Sequence, residues 1–123
     1  MSIQSKIEMY LDETTQVIYQ QVEGPIDEDD SKRMYEMVVE LKKKLRDPGK
    51  VRILAISDNA AKPSPGARRA LMENEKRDDF YRMAVVGSNP YMKTALTFFL
   101  MVSGSKKIRV FSNREDALTW LVA

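Results

Sequence analysis

The 123-residue sequence contains neither cysteine nor histidine. Without cysteine there are no disulfides and no thiolate nucleophiles. Without either residue, Cys/His zinc centres, histidine-ligated haem and every Ser-His-Asp or Cys-His arrangement are excluded. Glycine and proline number only 5 each, too few for a disordered or low-complexity chain. No run approaches the roughly 18 apolar residues of a membrane span, and Met1-Ser2-Ile3-Gln4-Ser5-Lys6 lacks the apolar core of a signal peptide. These absences lead to the expectation of a cytoplasmic protein that is not an enzyme, carries no cofactor and holds no metal.

With 43% hydrophobic and 31% charged residues in 14.1 kDa, residues 1–123 have the composition and size of one soluble domain with one core. The formal net charge is only +2, but its distribution is uneven. Residues 1–30 hold one basic side chain, Lys6, against Glu8, Asp12, Glu13, Glu23, Asp27, Glu28, Asp29 and Asp30, so the remainder of the chain is basic.

Ile7, Met9 and Leu11 alternate with polar or aromatic neighbours, and after Asp12-Glu13-Thr14-Thr15 comes the β-branched and aromatic segment Val17–Val22; together they predict an antiparallel hairpin. Gly24-Pro25 ends it. Carboxylates at 27–30 precede a helix whose apolar face is Met34, Val38, Leu41 and Leu45, and Lys42, Lys43, Lys44 and Arg46 crowd its last turn before Asp47-Pro48-Gly49. The nearly continuous apolar segment Val51–Ile56 predicts a central parallel strand that ends in a polar loop, Ser57-Asp58-Asn59. Ser64-Pro65 resembles a helix cap with its first-turn proline, and Asn89-Pro90 repeats that pattern after a second buried strand, Arg82–Gly87. A last strand, Lys107–Phe111, precedes a closing helix for which Ser112-Asn113-Arg114-Glu115 has capping-box spacing. The order ββαβαβαβα implies an α/β fold: a five-stranded mixed sheet with about four helices.

The order of elements, with Pro65-Gly66-Ala67-Arg68-Arg69, Arg82–Ser88 and above all the closing segment Phe111–Leu121, resembles the SpoIIAA-like family of the STAS group (sulfate transporters and anti-sigma-factor antagonists). The likeness covers nearly the whole chain. It implies a single STAS-type domain, with suggested links to lipid-binding relatives of CRAL-TRIO type. Regulatory members carry a phosphorylatable serine in an Asp-Ser-Ser-Gly-type string at the entry to the second helix. Here Ser64 stands close to that place as a phosphorylation candidate, but the motif is absent, and a helix cap is the plainer role for it.

Asp58, Ser64, Arg68 and Arg69 are candidates to converge at the C-terminal ends of parallel strands, where open α/β sheets bind ligands, with arginine suited to a phosphate or carboxylate. The plainer alternative is a solvated helix face and a chain turn. Ser88 and Asn89 open another strand-to-helix turn, which lacks the glycine pattern of a nucleotide cradle. Met92, Leu96 and Phe99 belong to a segment that is apolar on more than one face, fit either for core burial or for an added ligand or homodimer contact. Lys42–Arg46 is basic without neighbouring aromatics, so no nucleic-acid partner is expected. The expectation is a binding or regulatory module of STAS type for a protein or small amphipathic ligand; a lipid or small apolar-ligand carrier is the alternative.

Overall fold

The computed structural model describes residues 6–23, 28–59, 80–87 and 106–123. Within them the strands are β1 (Lys6–Asp12), β2 (Val17–Glu23), β3 (Arg52–Asn59), β4 (Arg82–Val86) and β5 (Ile108–Phe111), and the helices are α1 (Glu28–Lys42) and α2 (Arg114–Val122). The helices expected from Ser64 and from Asn89 lie outside the described residues.

The strands form one five-stranded sheet in the order β1-β2-β3-β4-β5. β1 and β2 are antiparallel, and the remaining pairs are parallel. This is the predicted hairpin joined to parallel crossovers, with the apolar Val51–Ile56 segment at the centre.

Period-two alternation divides each strand between two faces. In one row across the sheet, Ile18, Ile53, Met83 and Ile108 are register partners, and they form a core with Val38 and Leu45 from the α1 segment. On the opposite face Val17, Leu54, Ile56, Ala84 and Val86 pack with Ala117 and Leu121 of α2. Ile18, Leu54 and Leu121 are fully buried, which stabilises the fold by about 1.5–3 kcal/mol for each side chain. The sheet thus needs cover on both faces, which explains why its inner strands read as nearly continuous apolar runs.

The structure shifts several expected boundaries. β3 does not end at Ile56: its backbone continues through Ser57, Asp58 and Asn59, because a register shift between Gln21 and Glu23 lets β2 keep pairing, Glu23 with Asn59. Asp58 is therefore a strand residue rather than a loop residue. α1 stops at Lys42, and Lys44 and Leu45 donate backbone hydrogen bonds to Leu41 and Lys42 in a tightened turn that still brings Leu45 into the core. β4 ends at Val86 and β5 starts at Ile108, each one residue shorter than its apolar pattern. The cap of α2 is Asn113, not Ser112: Asn113 Oδ1 accepts the Asp116 backbone N–H at 2.9 Å, and its amide reaches the Asp116 carboxylate at 3.2 Å. The cap is displaced by one residue from the expected spacing, because Asn113 takes the extended backbone conformation a cap requires, φ −144° and ψ 162°, and Asp116 answers its side-chain amide rather than completing a capping box.

Candidate functional site

Of the residues singled out at the C-terminal ends of the strands, only Asp58 falls within the described chain, near the end of β3. Ser64, Arg68, Arg69, Ser88, Asn89, Met92, Leu96 and Phe99 lie outside the described residues.

The described residues build two other features. The first is at the opposite end of the sheet, where the parallel strands begin. Arg52 opens β3 and Arg82 opens β4, and the two are direct register partners, so parallel pairing puts both side chains on the α2 face. Arg52 Nε donates to the Leu121 carbonyl at 2.6 Å. Arg82 Nη1 donates to the Trp120 carbonyl at 2.5 Å and, more weakly, to that of Ala123 at 3.4 Å. The last turn of α2 has no basic residue of its own. Two strand arginines supply the positive charge and the donors that the helix C-terminus lacks.

Aromatic rings lie among these cations. Tyr81, 37% exposed, has Lys50 Nζ 5.6 Å, Arg52 Cζ 5.3 Å and Arg82 Cζ 5.1 Å from its ring centroid. Arg82 and Arg109 stand 5.1 Å and 5.9 Å from the Trp120 centroid, and Phe111 packs on the same indole at 5.7 Å. Backbone bonds from Tyr81 and Arg82 to the Val51 carbonyl fix the strand starts side by side. Sequence reasoning missed this cluster. Its signal is an arginine in the first position of each of two buried apolar strands, but only the register reveals that the two are neighbours.

The second feature is an open groove of about 330 Å³ between β1 and α1, lined by Met9, Met37 and Leu41 and edged by Arg33, Glu36 and Glu40. Methionine side chains adapt their shape, and the charged edge makes the groove amphipathic. Arg33 is held by Asp30 at 2.8 Å and Glu40 by Lys43 at 3.1 Å, exposed pairs that orient side chains but add little stability.

Among the described residues no group of carboxylates is arranged to hold a metal ion. No described helix is long and apolar enough to cross a membrane. What the described residues do offer is guanidinium donors, ring faces and an apolar groove.

The SpoIIAA-like family model matches residues 17–122. Among solved structures, the chain is similar to an uncharacterised protein of the DUF3478 family with a SpoIIAA-like fold from Shewanella loihica PV-4, with a TM-score of 0.67, 18% identity and 98% of both chains covered. At that identity the likeness shows the fold. A search of curated proteins finds no match.

Proposed function

Because the chain belongs to the SpoIIAA-like family, whose fold supports regulatory or binding modules in general, we propose that it is a non-enzymatic binding module that recognises a protein partner. The observation that carries this is the groove of Met9, Met37 and Leu41 with its charged edge. Its apolar floor suits a partner's aliphatic or aromatic side chains, and Arg33, Glu36 and Glu40 suit polar groups flanking them. The groove is open rather than enclosed, which favours a protein segment over an enclosed apolar ligand. Arg68 and Phe99, from the segments expected to flank the strand ends, belong to the same proposal as a second contact surface, together with Asp58, Ser64 and Met92.

Quantitative co-purification with wild-type protein, a Met37→Glu variant and an Arg68→Glu, Phe99→Asp variant tests this. A protein recovered with the wild type and lost with a folded Met37→Glu variant supports the groove as the contact. Equal recovery with every variant sinks it. Native mass spectrometry of untreated protein against the denatured chain tests the alternative: an extra mass released on denaturation identifies a carried amphipathic or apolar ligand.

A further inference from the structure

We propose that the cationic cluster at the strand starts is a binding site for a phosphate monoester dianion, separate from the groove. Lys50, Arg52 and Arg82 all place their charged heads within 5.6 Å of the centroid of one exposed tyrosine ring. Among the described residues their mutual repulsion is met by ring faces and by main-chain oxygens of α2 and Ala123. Among the described residues none of the three is paired with an Asp or Glu carboxylate, and the ion pairs found there lie along α1. Arg109, over Trp120, brings a fourth cation without such a partner.

The donors are oriented but not exhausted. A guanidinium carries five N–H groups. Arg52 commits its Nε–H to Leu121, and Arg82 commits Nη1 to Trp120 and Ala123. Among the described residues the remaining terminal N–H groups have no acceptor. Two fork-shaped donors held side by side by strand register, with a lysine beside them, match the several oxygens of a phosphate better than the two of a carboxylate. Three positive charges also call for a ligand of more than one negative charge. Polynucleotide is disfavoured by the same geometry: the faces of Tyr81 and Trp120 are occupied by cations, so neither offers an empty platform for a base.

The protein carries its own reporter, since Trp120 is the single tryptophan and Arg82 lies over it. Inorganic phosphate titrated at constant ionic strength against chloride should give a saturable change in Trp120 fluorescence. Arg82→Gln and Lys50→Gln should each weaken the apparent affinity about tenfold or more, while Lys43→Gln on α1 should leave it unchanged. Lys50 is exposed and makes no side-chain hydrogen bond among the described residues, so its variant keeps the test valid if Arg82→Gln loosens α2. Glycerol 3-phosphate and phosphatidylcholine vesicles containing phosphatidic acid distinguish the source. Tighter binding of the vesicles assigns a lipid headgroup, and tighter binding of the free ester assigns a soluble phosphate compound; both support the site. A response to phosphate no larger than to chloride, affinity unchanged in folded Lys50→Gln protein, or tighter binding of a single-stranded oligonucleotide than of either monoester would overturn it.

Discussion

Tyr19 shows how one side chain records its surroundings. It is the register partner of Tyr10 across the hairpin, and the rings stack at 5.1 Å and 12°. Burial, then the nearby charge of Asp12 and the ionised form of Tyr10, push the Tyr19 phenol above its ordinary value, against a smaller opposing pull from Arg114. A phenol with a raised pKa holds its proton more tightly in the folded state. Its contribution to stability is therefore complete below the unfolded value of about 10 and is lost as pH rises through the higher folded value. Denaturant midpoints measured across the alkaline range should fall more gently for Tyr19→Phe than for wild type; parallel curves would refute the linkage. Gln20, one position on, is 6% exposed and is the polar exception in a core otherwise apolar among the described residues. Its amide meets no hydrogen-bond partner among them, so Gln20→Leu should stabilise the fold by about 1 kcal/mol in urea unfolding. A loss of stability would show that the amide has a partner. Gln16 is the one described non-glycine residue with positive φ, 60°, and it is held there by use: its amide donates to the Glu13 carbonyl at 2.8 Å and its Oε1 accepts the Arg46 N–H at 2.9 Å. Gln16→Ala keeps the backbone strain and removes both bonds, with an expected cost of about 1–2 kcal/mol.

At the scale of elements, α2 depends on supports at both ends, and only one was legible. Asn113 and Asp116 announce its start within four residues of sequence, as local capping does, although Ser112 competes for the same role by spacing alone. Its C-terminal support comes from Arg52 and Arg82, 69 and 38 residues away in the chain from the carbonyls they bind. No local pattern encodes that. Asn113→Ala should cost about 1 kcal/mol of stability. Arg82→Gln should cost about as much by a different route, leaving the Trp120 carbonyl without its charged donor. Thermal unfolding of the two single variants and the double variant should show nearly additive losses, because the sites lie at opposite ends of the helix. The same contrast governs the strands. Val51–Ile56 was readable because both its faces are covered, whereas the extension through Ser57, Asp58 and Asn59 depends on pairing with Glu23 across a bulge, and polar composition alone suggests a loop.

For the whole molecule, topology orders both charge and stability. The acidic first turn of α1, Glu28, Asp29 and Asp30, follows the end of β2, while Lys50, Arg52 and Arg82 gather where β3 and β4 begin; Asp12, in the same register row as Arg52, stays at the cationic end, so the uneven charge of the sequence is only partly sorted along the strands. The sequence pattern conveyed the two charged stretches but not the neighbourhood of Arg52 and Arg82, which follows from parallel pairing. The same pairing predicts a gradient of protection. β3 is hydrogen-bonded on both sides and covered on both faces, with Ile53, Leu54, Ala55 and Ile56 each no more than 5% exposed. β1 has one strand neighbour, and Tyr10 on it is 55% exposed. Local opening of β1 needs only the β1–β2 ladder to break, whereas exposing the amides of β3 requires both cores to separate from the sheet. Native-state hydrogen exchange should therefore find the slowest amides in Ile53–Ile56, exchanging only through global unfolding and slowing in step with the stability gained in Gln20→Leu. The amides of Met9 and Tyr10 should exchange by a faster, local route that the same substitution changes less. Equal protection in β1 and β3 would mean that the hairpin opens only with the whole domain, and that its edge is as secure as its centre.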